Sequence, residues 1–239
     1  MRILLTNDDG IQGEGLRLLA LWARNLGETI VCAPKSEQSA CSQSIVLNRP
    51  FSALRSELYA DLMIEAWEID STPADCVRFA LDHLGNFDLV LSGINNGFNT
   101  GQFIAYSGTC GAASEAAAFG IPAVALSTLA GHLQEAAETL PRILSFFREN
   151  RLLEKHNLYN VNIAPGFMEF RITRTEPAFV HDRFADCGNG QFHATLDLSD
   201  WEGRTLDTVY DMEALFAGFC SVTPLQVERT DERIYEVLK

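Results

Sequence analysis

The chain has 239 residues, of which 47% are hydrophobic and 21% charged, a balance that supports a packed core and excludes an intrinsically disordered chain. Eighteen Lys and Arg face 32 Asp and Glu, for a formal net charge of −14. No run of cations is present, which argues against a nucleic-acid duplex as partner. Any phosphate site must therefore draw its positive charge locally, from amides or a metal ion.

In chain order, residues 3–6 read as a buried strand, and Leu16, Leu19, Ala20, Ala23 and Leu26 recur at helical spacing until Gly27. Residues 29–33 form the next strand, closed by Pro34. Residues 44–47 and 62–69 read as short strands flanking a polar excursion, a hairpin or an edge extension. A helix follows over 73–84, a strand over 88–91, an alanine-rich helix over 109–119, a strand over 121–126 and a long helix over about 132–150. Past Asn160 the pattern turns irregular, with short β-prone pieces at 161–163, 170–173 and 191–196. A helix over 207–217 and a strand over 220–223 come last. Strand and helix alternating in this way predict an α/β fold, a Rossmann-like mostly parallel sheet with helices on both faces. A smaller β-rich C-terminal extension completes it, with the core assigned to 1–158 and the extension to 159–239.

The six cysteines (Cys32, Cys41, Cys76, Cys110, Cys187, Cys220) show no C-x-x-C pair and no zinc-like spacing. They read as small core residues in a reducing cytoplasm. No apolar run reaches membrane-spanning length, and the opening stretch is too short for a secretory signal, so no membrane partner is expected.

Three polar clusters follow three different predicted strands. Asn7-Asp8-Asp9-Gly10 follows the first. Two adjacent aspartates reach one ion only where the chain leaves the strand. Held together without a cation they repel and raise one pKa, whereas a divalent ion favours both as anions. The same residues also suit a turn that caps a helix near Gly13. The second cluster, Ser92-Gly93-Ile94-Asn95-Asn96-Gly97, offers Asn95 as a neutral oxygen ligand or as a turn residue. Ser107-Gly108-Thr109 opens the alanine-rich helix, where it is an N-cap or an anion site built from amides. The third cluster, residues 34–40, brings Ser39, a solvated loop serine or a further oxygen donor. In a parallel sheet all three emerge on one rim. No P-loop, G-x-G-x-x-G or G-x-S-x-G motif occurs. Cys110, near a helix start, reads as a buried structural thiol before a nucleophile. Phe184, Phe192 and Trp201 read as core or interface aromatics before a base-stacking platform.

Taken together these clusters resemble the SurE family of survival-protein nucleotidases. The resemblance runs through Asn7–Gly10, Ser39, Thr72-Pro73-Ala74-Asp75-Cys76-Val77, Ser92–Asn95, Tyr106–Thr109, Gly120–Ala123, Asn160-Val161-Asn162 and Ser221–Leu225, in order along nearly the whole chain. It implies a metal-dependent 5'-nucleotidase, an acid-phosphatase-type hydrolase acting on nucleoside monophosphates. It implies Asp8, Asp9, Ser39 and Asn95 as metal ligands, with Asp8, Asp9 and Asn95 catalytic, and Asn96, Ser107, Gly108 and Thr109 against the phosphate. One divalent ion per subunit is implied, Mg²⁺ or Mn²⁺, with Ca²⁺ able to occupy the site. A homodimer or homotetramer is implied too, with the C-terminal part engaged in assembly and returning in part to the core. Ala40 and Ser71 stand where the family usually has glycine, and Tyr210 where a threonine usually precedes the aspartate. A non-catalytic nucleotide or metal sensor using the same rim is the alternative.

Overall fold

The computed structural model describes residues 1–177, 181–197 and 208–239. The first half follows β1 (Arg2–Thr6), α1 (Glu14–Ala23), β2 (Glu28–Pro34), β3 (Ala53–Ser56), β4 (Glu65–Ile69) and α2 (Pro73–Phe79). It continues through β5 (Leu89–Asn96), α3 (Gly108–Ala118), β6 (Ala123–Thr128), α4 (Leu133–Glu149) and α5 (Leu152–Lys155). Then come β7 (Leu158–Ile163), β8 (Phe170–Ile172), β9 (His181–Gly188), β10 (Gln191–Asp197), α6 (Asp211–Phe216), β11 (Cys220–Pro224) and α7 (Glu232–Leu238).

Nine strands form one sheet in the order β3-β4-β2-β1-β5-β6-β7-β11-β8, and β9 pairs with β10 in a separate antiparallel ribbon. From β4 to β7 every pairing is parallel. The strands are apolar on both faces because both are covered. On β1, Ile3 and Leu5 join the core beneath α1 and α4, while Leu4 joins the core beneath α2 and α3. The expected α/β sheet with helices on both faces is what the chain forms. Strand order reverses between β1 and β5: the chain runs outward from β1 to β2 and β4, then returns on the other side through β5, β6 and β7. In open α/β sheets the crevice at the carboxyl ends of strands flanking such a switch point is the ligand site.

Several local expectations are corrected. Residues 44–47 form no strand. The Val46 N–H donates to the Asp75 carboxylate at 2.9 Å and the Thr72 hydroxyl donates to the Ser44 carbonyl at 2.6 Å, so side chains at the start of α2 take the place of a strand partner. The antiparallel edge is made instead by β3 on β4. Residues 60–62 form a 3₁₀ turn, and that strand begins only at Glu65. The helix over 73–84 is α to Phe79 and then a π turn over Ala80–Leu84. The helix expected over 207–217 is α6, described from Asp211 to Phe216; Asp207 lies outside the described residues, as does Trp201, and α7 follows unanticipated. Phe184 and Phe192, read as core or interface aromatics, are exposed on the β9–β10 ribbon, which corrects the core half of that reading. Among the cysteines Cys32, Cys76, Cys110 and Cys220 are buried, but Cys41 is half-buried and Cys187 exposed; all six are free. No helix among the described residues is long and apolar enough to cross a membrane.

Candidate active site

At the end of β1 the chain turns sharply. Asn7 is fully buried and its amide donates to the Gly10 carbonyl at 2.9 Å, while Gly10 takes a φ of 92°, a backbone conformation that suits glycine. The Gln38 N–H donates to the Asp8 carbonyl at 2.7 Å and the Ile11 N–H to the Pro34 carbonyl at 2.7 Å. The loop after β2 is thereby stapled to the Asp8–Asp9 turn.

Asp8 is buried, and its carboxylate accepts the Thr109 N–H at 3.0 Å and the Thr109 hydroxyl. The start of α3 therefore points at Asp8. Gly108 makes this approach possible, because a Cβ there would stand 2.8 Å from the Asp8 Cβ and 2.9 Å from its Oδ2. Ser107 caps α3 by accepting the Cys110 N–H at 3.1 Å. Burial pushes the Asp8 carboxyl above its ordinary range, and the Thr109 hydrogen bonds pull it back. Asp9 is pushed up to about 6, first by burial and then by the charge of Asp8, against a hydrogen bond from the Asn96 amide. Two neighbouring carboxylates are thus both disfavoured as anions. Among the described residues neither forms an ion pair with Lys, Arg or His.

β5 brings the second cluster to the same place. Thr6 pairs with Ser92, and the register slips between Ser92 and Asn95 before Asn95 pairs with Ser127 and Asn96 with Thr128. Asn95 donates its amide to the Gly97 carbonyl at 2.7 Å, which commits the nitrogen and leaves its oxygen as the group suited to a ligand. The Asn96 side-chain oxygen accepts the Gly131 N–H at 2.9 Å, while its backbone amide serves Asp9. Around them Thr6 Oγ1, Asn7 Oδ1 and Ser92 Oγ are buried without a hydrogen-bond partner. Ser39 is exposed, and its hydroxyl donates to Glu37 at 2.7 Å. The loop carrying Ser39 reaches the rim, but its hydroxyl faces Glu37.

The described residues contain no group of three or more His, Cys, Asp or Glu fit for a metal ion. What the rim offers is two carboxylates with neutral oxygens, a donor set for a hard cation and not for a soft one. The paired carboxylates without a counter-charge, beside orphaned buried oxygens, fit such an ion.

The family model described as Survival protein SurE matches residues 3–182. The chain belongs to the SurE family. Like it is a protein named 5'-nucleotidase SurE from Desulforudis audaxviator, 38% identical over 251 residues that cover 100% of this chain and 96% of that one. Another of that name, from Gemmatimonas aurantiaca, is 38% identical over 250 residues, covering 96% and 94%. A 5'-nucleotidase SurE 1 from Thermus thermophilus is 34% identical over 242 residues, covering 100% and 96%. The crystal structure of the SurE protein from Aquifex aeolicus matches with a TM-score of 0.83 at 28% identity, over 100% of this chain and 98% of that one.

In this SurE chain several rim groups take roles that motif reading does not assign. Asn7 orders the turn, the Gln38 amide staples the loop, and Thr109 orients Asp8 instead of standing free. Backbone amides carry no side-chain signature. Gly13, read in the sequence as the start of a helix, also makes room for the turn: a Cβ there would lie 2.8 Å from the Asn7 amide. Cys110 is buried, and burial pushes its thiol up to about 12, which suits a packed thiol and not a nucleophile.

Proposed function

We propose that the chain is a divalent-metal-dependent phosphomonoesterase, a nucleotidase that hydrolyses nucleoside monophosphates to nucleoside and phosphate. The observation that carries this reading is the Asp8–Asp9 pair: two adjacent carboxylates at the switch-point crevice, both raised in pKa, with no cationic side chain against either among the described residues. Such a pair becomes favourable when a cation joins it. The names of the relatives, 5'-nucleotidase SurE, support the substrate class.

Asp8, Asp9, Ser39 and Asn95 would hold one ion per subunit, Mg²⁺ or Mn²⁺, in a site that Ca²⁺ also suits. Bound there, the ion supplies Lewis acidity toward a phosphate ester and lowers the pKa of a coordinated water. The chain's own residues do the rest. Thr109 orients Asp8 and its hydrogen bonds favour the ionised form against the burial that raises the pKa, and the N-terminal end of α3 adds a field that favours negative charge. The Asn96 amide holds Asp9 in the same way. Asn96, Ser107, Gly108 and Thr109 would face the phosphate; Gly108 and Thr109 lie against Asp8 and the Asn96 backbone amide against Asp9, and the N-terminal end of α3 suits a phosphoryl group gaining charge. Asp9, with a pKa of about 6, is the carboxylate whose protonation competes with cation binding.

The rest of the reading is of the same standing. The six free cysteines support a cytoplasmic setting. The division at residue 158 falls at the start of β7, and β7, β8 and β11 beyond it belong to the nine-stranded sheet, in keeping with a C-terminal part that returns in part to the core; a homodimer or homotetramer built through that part is supported by the separate β9–β10 ribbon with Phe184 and Phe192 exposed. The deciding assay measures phosphate release from nucleoside monophosphates and a chromogenic ester after chelator treatment, with Mn²⁺ or Mg²⁺ added back. Release that is absent in chelator and restored by either ion is expected. No release from any ester with either ion present leaves only a binding role.

A further inference from the structure

The segment over residues 97–107 joins the two halves of the rim: Asn95 and Asn96 stand at one end and Ser107 to Thr109 at the other. Apart from a 3₁₀ turn over Gly101–Ala105, it has no ladder of its own. Its buried main chain must therefore find partners elsewhere. At Asn99 those partners are side chains of β7, while its side chain bonds to β6. The Asn99 carbonyl accepts from Asn160 at 2.7 Å and from Asn162 at 2.9 Å, and its N–H donates to Asn162 at 2.8 Å. Its own amide donates to Ser127 at 2.9 Å. Two residues on, the Gly101 N–H donates to Asp211 Oδ2 at 3.0 Å.

Asp211 is fully buried in the C-terminal part of the chain, 110 residues from Gly101. Its other oxygen accepts the Glu176 N–H at 2.9 Å and the Met212 N–H at 2.8 Å. Among the described residues it forms no ion pair. A buried carboxylate with three N–H donors and no cation is a strong but exacting fastening, since charge-assisted bonds are about twice as strong as neutral ones. Gly101 and Glu176 are also neighbours, for a Cβ on Gly101 would lie 3.3 Å from the Glu176 Cβ. Asp211 thus clips the rim segment to residue 176, close to where the β9–β10 ribbon departs.

We propose that Asp211 is a positioning residue for the reaction, fixing the 97–107 segment and with it the spacing between Asn95–Asn96 and Ser107–Thr109, so that a residue of the C-terminal part of the chain sets the geometry of the rim. The proposal rests on the phosphomonoesterase reading for its activity readout only. A displacement of about 1 Å at such a distance from the chemistry costs up to roughly 100-fold in rate.

The test compares Asp211→Asn and Asp211→Ala with the wild type at saturating Mn²⁺ and AMP, alongside hydrogen–deuterium exchange. Asp211→Asn keeps one acceptor oxygen and is the variant expected to fold. Its kcat should fall about tenfold or more with a smaller change in KM, and Asp211→Ala should fall further. Amides over 98–109 should exchange faster, while those of α1 and α4 stay as in the wild type. Both changes together support the proposal. A kcat within about twofold of wild type, unchanged exchange over 98–109, or faster exchange spread evenly over the chain each overturns it. If the wild type itself releases no phosphate, the phosphomonoesterase reading fails while the exchange arm still decides whether Asp211 holds the segment.

Discussion

Protonation and cation binding compete for the same oxygens at Asp9. Its pKa of about 6 in the folded, cation-free chain lies above the ordinary 3.8. A group whose folded pKa is raised favours the fold most below its unfolded pKa, and that contribution is lost as pH climbs through the folded value. The cation-free protein should accordingly lose this contribution between about pH 4 and pH 6. Replacing the carboxylate with an amide removes the cost. Discounted for the partial exposure of Asp9, it is on the order of 1 kcal/mol at neutral pH. In chelator at about pH 7.5, Asp9→Asn should melt above the wild type, with the gap closing toward about pH 4, and should release no phosphate with Mn²⁺. A variant that melts lower at neutral pH, or turns over at the wild-type rate, contradicts the role. Ala40 is the other informative residue. It takes a φ of 59°, a region costly for any residue with a Cβ. Ala40→Gly should leave melting unchanged or raise it, by up to about 1 kcal/mol, because the relief of the Cβ is partly offset by a freer unfolded chain. A clear drop would show that the loop needs the methyl group. At this scale the sequence made Asp8, Asp9 and Asn95 visible as polar residues leaving apolar strands. It hid the Thr109–Asp8 pairing, since a helix-starting Thr looks the same whether it bonds a cap, a carboxylate or water.

Among the elements, the approach of α3 to β1 decides whether the rim exists. The Gly108 Cα faces the Asp8 side chain with no room for a methyl, and the Cys41 sulfur would stand 2.9 Å from one. Gly108→Ala must therefore push the helix start away from β1. The expected result is a loss of about 1–3 kcal/mol in stability, the usual range for overpacking, with metal-supported turnover falling about tenfold or more. Urea melts and AMP hydrolysis on the same preparation check both; wild-type turnover in a folded Gly108→Ala protein would mean that Thr109 does not need to reach Asp8. The strands β1, β2, β5 and β6 were legible because burial on both faces writes them as continuous apolar runs. Residues 44–47 looked like a strand for the same compositional reason. Their donors and acceptors go instead to Asp75 and Thr72, a pairing that no local pattern announces. The β-prone piece over 191–196 is β10, whereas β9 and α7 went unread because little of either is buried, so no periodic apolar face marks them.

For the whole molecule, a charge of −14 means that any salt should stabilise the fold somewhat by screening self-repulsion. A specific cation must do more than that. At a free Mn²⁺ concentration about 100 times its Kd, binding to the folded state alone adds about 2.7 kcal/mol. In a chain of this size that is a rise of roughly 5–10 °C in Tm. Sodium chloride at matched ionic strength should give a smaller rise, equal in wild type and Asp9→Asn. Only the wild type should show the additional Mn²⁺ increment. Lowering the pH through about 6 adds a proton that the ion must displace from Asp9, so apparent affinity falls by up to about tenfold for each further pH unit. The Mn²⁺ increment should therefore shrink markedly between about pH 7.5 and pH 5, while the sodium chloride rise changes little by comparison. Calorimetry at both pH values, with both salts and both proteins, separates the terms. Equal rises from the two salts, or an Mn²⁺ increment that survives in Asp9→Asn or persists undiminished at pH 5, would place the ion somewhere other than on the paired carboxylates.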